Sequence, residues 1–231
     1  MTTKKIITSC IGCKFKSKSI LSDVPHLALE KAGFTPHIVS FPANSNLFHA
    51  PDNRDVVFTL RKGSVKLVRN LPDGNTRITS MRKAGDTIGL RAWQMGQNTV
   101  EAIALGDVEL CKISYQELER IRKYAPELDK SVVNRICSEA ELADKWITHF
   151  SAGSVNQRLA NLLLFLAEHQ GDSQKSVKLL SREDMASILG VRQESVSRAV
   201  TQFKVDGLLI PHTRGKHTLN MPAIRKQSKQ K

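Results

Sequence analysis

The first 20 residues contain no acid, and nowhere does an apolar run approach the ~18 residues that a membrane-spanning helix needs. The opening MTTKKIITSC also lacks the apolar core and small-residue cleavage site of a secretory signal. Both absences predict a cytoplasmic chain without a membrane partner. Only four cysteines occur among 231 residues. In a reducing compartment that excludes a disulfide framework and leaves metal binding, regulated redox chemistry or plain burial. A Gly-rich phosphate loop, a His-Glu-x-x-His run and a nucleophile elbow are all missing, and the seven histidines are scattered without ligand spacing. The chain is therefore expected not to be an enzyme.

What is present in excess is positive charge. Lys and Arg total 35 against 22 Asp and Glu, a net charge of +13 with a pI near 9.8. Such a field favours a polyanion, most simply nucleic acid. The excess is uneven: residues 151–231 hold 13 basic and 6 acidic residues, or +7, and the first 20 residues add +5. The middle is close to neutral. With 40% hydrophobic residues, the length suits one large domain or two modest ones with packed cores.

From about Ile38 to Ile113 the sequence alternates short strand patterns with turn signals: VVFTL (56–60), SVKLVRN (64–70), a Pro72-Asp73-Gly74-Asn75 turn, TRITSM (76–81) and VELCKI (108–113). This spacing predicts an antiparallel β-roll or barrel. After Ser114 the period changes. Ser114-x-x-Glu117 reads as a capping box opening a helical stretch to Phe150, bent at Pro126. Val133, Ile136, Ala140, Ala143, Ile147 and Phe150 step by three and four residues, a heptad seam suited to a parallel dimer or to docking on the chain's own core. Ser151-Ala152-Gly153-Ser154 then breaks the helix. Four regions follow: an N-terminal cysteine segment (1–20), a sensor roll (21–113), a dimerisation helix (114–150) and a C-terminal domain (151–231).

Residues 181–210, SREDMASILGVRQESVSRAVTQFKVDGLLI, carry the strongest signal. Ser181 and Asp184 form a capping pattern, Met185, Ile188 and Leu189 an amphipathic helix, and Gly190 a turn; a second helix runs from about Arg192 to Lys204. That is a helix-turn-helix. At roughly 100° per residue, Glu194, Ser197 and Arg198 share one face of the second helix, while Val196, Val200 and Phe203 share the other. Arg can bond bidentately to guanine, Glu can accept from cytosine N4, and Ser can do either. The alternative is a solvated face held by a Glu194–Arg198 pair, worth only about 0.2–0.5 kcal/mol. Arg192 and Gln193 open the same helix. LLIPHTRGKHTLN (208–220) reads as a β-hairpin with Arg214, Gly215 and Lys216 at its tip, a wing that can touch phosphates.

Lys62-Gly63-Ser64-Val65, the Ala84-Gly85-Asp86-x-x-Gly89 turn, the seam helix and the winged helix-turn-helix occur in an order that resembles the CRP/FNR superfamily of transcription regulators. Glu194-x-x-Ser197-Arg198 is similar to the recognition helix of the FNR branch. The resemblance implies an α+β fold with an antiparallel, cyclic-nucleotide-binding-like roll, a long dimerisation helix and a winged helix-turn-helix. It also implies a homodimer on double-stranded DNA, reading TTGAT-like half-sites about 34 Å apart with RNA polymerase as partner. Cyclic-nucleotide binders of the superfamily carry Glu after the glycine matching Gly89, and an Arg-Ser pair downstream. Here Leu90 follows, and residues 91–103 hold no Arg-Ser, so a cyclic phosphate lacks its bidentate cation and cAMP is not expected.

FNR-type sensors hold a [4Fe-4S] cluster with three N-terminal cysteines and a distant one. Cys10, Cys13 and Cys111 match three of these positions, while the fourth falls near Ser19, which is not a thiol. Ser17, Ser19, Asp23 and His26 are the candidates for the last ligand, Ser19 first. Other readings stay open: a thiol switch in which Lys14, Lys16 and Lys18 lower a cysteine pKa, a zinc site, or a decayed sensor with inert cysteines. A thiol oxidoreductase would need its Cys-x-x-Cys after a buried strand, and only nine residues precede Cys10. Cys137 reads as packing.

Overall fold

The computed structural model describes residues 10–51, 55–170, 176–212 and 215–229. The chain forms two compact units, residues 1–74 with 79–142 and residues 75–78 with 143–231, the second boundary falling inside a helix.

The first unit is the roll. Its strands are β1 (His37–Phe41), β2 (Asn46–Phe48), β3 (Val56–Lys62), β4 (Ser64–Asn70), β5 (Thr76–Lys83), β6 (Thr87–Ile88), β7 (Glu101–Ala104) and β8 (Val108–Ser114). They make two four-stranded antiparallel sheets, ordered β1-β8-β3-β6 and β2-β7-β4-β5. Between β3 and β4 the chain reverses at Gly63, where φ is +86° and a Cβ would stand 2.6 Å from the Asp107 carbonyl oxygen. Only glycine fits such a turn.

β3 departs from simple alternation, because Val57, Phe58, Thr59 and Leu60 are all buried. Phe58 and Leu60 join Phe48, Val65 and Leu110 in the core of the roll. Val57 and Ile113, paired across β3 and β8, face a second core made with Ile20, Leu29, Leu118 and Leu128. A strand covered on both faces reads as a continuous apolar run. Cys111 and Thr59, the next pair on that second face, interrupt it.

Helices and the N-terminal segment build the second core. α1 spans His26–Lys31 and α2 Leu90–Met95. α3 (Tyr115–Tyr124) opens on the expected capping box, with the Ser114 hydroxyl accepting from the Glu117 N–H and the Glu117 carboxylate accepting from the Ser114 N–H at 2.7 Å. The helical stretch expected over 114–150 is two helices: α3 ends before Ala125-Pro126, and α4 runs from Glu127 to Phe150. Proline has no N–H to continue the ladder. α3 buries Leu118 and Ile121 in the second core, so α4 alone carries the seam. Ahead of α1, a 3₁₀ turn (Lys16–Lys18) leads to buried Ile20, Leu21 and Val24. The Lys16 ammonium donates to the Val24 carbonyl at 2.7 Å, and Ser131 on α4 donates to Asp23 at 2.8 Å and lies 3.4 Å from the Ser22 hydroxyl.

Five of the six seam residues are exposed, Val133 at 56% and Ile147 at 62% among them. Phe150 is the exception. It is 2% exposed and packs edge-on against Trp146 and Phe165, with ring centroids 4.8 and 5.7 Å away. It belongs to the core of the second unit and not to the seam.

In the second unit α5 (Val155–Gln170) precedes β9 (Ser176–Lys178), α6 (Arg182–Leu189), α7 (Gln193–Val205), β10 (Leu209–Pro211), β11 (Lys216–Leu219) and α8 (Met221–Lys229). The expected hairpin is part of a three-stranded sheet, β10-β11-β9. Leu159, Leu162 and Leu166 of α5 are fully buried, as are Met185, Ile188, Val196 and Val200 of the helix pair. The fold is α+β throughout.

Candidate DNA interface and cysteine site

The helix pair begins where Ser181 accepts a hydrogen bond from the Asp184 N–H at 2.9 Å, capping α6. α6 ends at Gly190, in the left-handed region at φ +62°, ψ 45°, its N–H returning to the Ala186 carbonyl at 2.8 Å. That bond and conformation set the turn into α7. α7 buries Val196, Ala199, Val200 and Phe203 on one side, leaving Arg192, Gln193, Glu194 and Arg198 exposed and Ser197 half-buried. The expected face therefore forms, with Arg192 as the N-cap residue. Glu194 and Arg198 make no ion pair with each other; the Arg198 guanidinium instead donates to the Ser195 hydroxyl at 3.4 Å.

Lys216 lies on β11, directly opposite Lys178 of β9. Like charges placed opposite one another destabilise a sheet unless an anion lies between them. Lys178 was not reached from the sequence, because a three-residue strand carries almost no periodic signal. Beside them, burial together with Lys204 and Arg182 holds the His217 imidazole below its ordinary pKa. Arg214 lies outside the described residues.

In the roll, Cys10, Cys13 and Cys111 line one small recess of about 30 Å³, open to solvent. Thr59 and Arg61 of β3 line it too, as does Ser19. Arg61 is held by Glu109 at 2.9 Å and lies 5.8 Å from the centre of the Phe15 ring, on which Lys14 also rests at 5.1 Å. Burial, then the neighbouring Cys10, pushes the Cys111 thiol up to about 12, although Arg61 pulls the other way. Cys10 is raised as well, by burial and Cys13 against the opposing Lys16 and Arg61. The expectation that nearby cations lower a cysteine pKa thus fails at Cys10 and Cys111, where desolvation outweighs attraction. Cys137 is exposed on α4, not packed inside.

Of the four proposed fourth ligands, Ser19 alone lines the recess. Its hydroxyl is already engaged, donating to the Lys16 carbonyl at 2.9 Å and accepting from the Leu21 N–H at 3.1 Å. Asp23 is turned to Ser131. Among the described residues no three His, Cys, Asp or Glu side chains gather closely enough to hold a single metal ion. A four-iron cube, by contrast, takes its thiolates at separate corners, so its ligands surround a body and not a point. Three soft thiol donors around one recess, with cations beside them to offset thiolate charge, fit such a group at three corners. They do not fit a mononuclear zinc site.

Comparison with known proteins accounts for both units. The family model described as cyclic nucleotide-binding domain matches residues 38–124, and that described as Crp-like helix-turn-helix domain matches residues 157–226. The chain belongs to the CRP/FNR superfamily. The transcriptional regulatory protein btr of Bordetella pertussis is 25% identical to it over 221 residues, covering 94% of this chain and 91% of its own. The transcriptional activator protein anr of Pseudomonas aeruginosa is 25% identical over 178 residues, 75% of this chain and 73% of its own. Among solved structures, FixK2 from Bradyrhizobium japonicum shares the fold with a TM-score of 0.75 at 20% identity, over 86% of this chain and all of that one.

As a CRP/FNR regulator, the chain is a DNA-binding protein of transcription. No described helix is long and apolar enough to cross a membrane. In this regulator the residue after Gly89 is Leu90, 1% exposed and packed in the second core of the roll, and Asn98 is buried at 7%. Arg82 on β5, itself 7% exposed, meets Glu139 of α4 at 3.4 Å. Burial raises the Glu139 carboxyl despite that partner.

Proposed function

We propose that the chain is a homodimeric, sequence-specific transcription regulator that reads TTGAT-like half-sites. In this reading, oxygen or redox state controls it through an iron–sulfur group held by Cys10, Cys13 and Cys111. The observation that carries the reading is the meeting of these three sulfurs in one recess, although Cys111 stands far along the chain. When bound, the group would supply a redox centre whose potential depends on its surroundings and whose integrity depends on oxygen. The chain's own part is to bind it with three thiolates, to offset their charge with Arg61 and Lys16, and to hold the N-terminal segment over β3 and β8.

A buried Leu90 in place of an acid favours a signal other than cAMP. The exposed stripe of Val133, Ile136, Ala140, Ala143 and Ile147 supports pairing through α4. Exposed Arg198 and Glu194 on α7 support base reading in the major groove, with RNA polymerase as the protein partner at the promoter.

Iron and sulfide analysis with an absorption spectrum of anaerobically purified protein tests the proposal. The expected result is iron and sulfide bound to the dimer, with a broad visible absorption that oxygen bleaches. Colourless protein that takes up no iron on anaerobic reconstitution would refute the sensor.

A further inference from the structure

The second face of β3 and β8 carries an unusual polar position. Thr59 is 3% exposed, sits directly opposite Cys111 across the two strands, and lines the same recess as the three thiols. Its Oγ1 is buried and has no hydrogen-bond partner among the described residues. An unpaired buried hydroxyl costs free energy, and native interiors tolerate one only where a partner is missing from view or where function uses it. The neighbouring pair on the same face, Val57 and Ile113, shows that the fold itself would accept an apolar residue there. Ser19, the other hydroxyl at the recess, has both its donor and its acceptor roles satisfied by the backbone. Among the described residues Thr59 is therefore the hydroxyl at the recess without a partner.

We infer that the Thr59 hydroxyl is a hydrogen-bond donor to the sulfur atoms of the iron–sulfur group in the recess, and that it sets the potential at which the group is reduced. The inference rests on the cysteine-site reading above. A hydroxyl donor stabilises the more negatively charged, reduced form, because the added electron density resides partly on the sulfurs it faces. Thr59 then raises the potential, working together with Arg61 beside it. It acts as a positioning and tuning residue, and the thiols remain the ligands.

The experiment is a spectroscopic redox titration of the full-length, anaerobically reconstituted protein. It compares wild type with Thr59→Val, which keeps the shape and removes the donor, and Thr59→Ser, which keeps the donor. The expected result is a more negative midpoint potential in Thr59→Val at unchanged iron and sulfide content, and a return toward wild type in Thr59→Ser. Thr59→Ala replaces Thr59→Val if circular dichroism shows that the valine disturbs the fold. An iron-loaded wild type whose potential is unaltered by loss of the hydroxyl overturns the role of Thr59 while leaving the cysteine site standing. Failure of Thr59→Ser to restore the potential also overturns it, since a packing effect would then be the cause. A wild type that binds no iron or sulfide overturns the inference and the cysteine site together.

Discussion

Among the described residues Arg198 has no carboxylate to release before it can meet a base edge, since its guanidinium rests there only on the Ser195 hydroxyl at 3.4 Å. Replacing it with alanine removes a bidentate donor and leaves the packed side of α7 untouched. Arg198→Ala should weaken binding to a TTGAT-N4-ATCAA duplex by roughly 1–3 kcal/mol and hardly change binding to a scrambled duplex. Fluorescence anisotropy at fixed salt measures both, and equal losses on the two would remove its base-reading role. Cys111 gives a second test at this scale. With its folded pKa raised from 9.0 to about 12, the native state keeps its proton where the unfolded chain loses it. The metal-free reduced protein should therefore hold this contribution to stability below pH 9 and lose it progressively as pH rises toward about 12. At mildly alkaline pH, mass spectrometry after iodoacetamide treatment should find Cys111 labelled far more slowly than exposed Cys137. Comparable rates would contradict the burial of the Cys111 thiol. Residues such as Glu194 and Arg198 were legible in the sequence because a helix fixes which side chains share a face. Thr59 was not, since its importance lies in a missing partner, and a missing partner is visible only once everything around it is placed.

Among the elements, α4 carries the clearest unsatisfied pattern. Val133, Ile136 and Ile147 lie 37–62% exposed along one line, which water disfavours and a second copy of the helix would cover. A charge there should dissociate the pair: burying each such side chain is worth about 1.5–3 kcal/mol, so Ile136→Asp should raise the dimer dissociation constant roughly tenfold or more. Sedimentation velocity across a concentration series reads this directly, and an unchanged dimer would move the interface elsewhere. The spacing rule that exposed this stripe also overreached by one step. Phe150 keeps the three-residue interval, yet it turns into an aromatic group with Trp146 and Phe165, because the periodicity of a helix states which residues align and not what they align against. α6 and α7 were readable from caps and a turn glycine, signals that are local. β9 was lost for the opposite reason: three residues pair with β11 only because the whole sheet is present. Ser154 and Gln157 show a local signal overlooked, since the Ser154 N–H donates to the Gln157 side chain at 2.8 Å and its hydroxyl accepts from the Gln157 N–H at 3.3 Å.

At the scale of the whole molecule, the fold was legible as an order of parts, a roll followed by a long helix and a winged helix-turn-helix, because each part has its own period. Its cysteine site was legible only in pieces. Cys10 and Cys13 announce themselves by spacing, whereas Cys111 entered through a family resemblance, and its place beside them is a property of the closed roll. The anchoring of the N-terminal segment has a consequence in time. Ser22 and Asp23 find their partner, Ser131, 109 and 108 residues later. Synthesis runs from the N-terminus, so the first two sulfurs leave the ribosome long before the strand and the helix that seat them. The segment must wait, and its seat is closed by chain made more than a hundred residues later. A ribosome-held chain in which Ser131 is still inside the exit tunnel should therefore alkylate at Cys10 faster than the released protein. Equal rates would mean that the segment settles without α4. The recess is thereby tied to completion of the roll, and an unfinished chain has no closed form of it to offer any group.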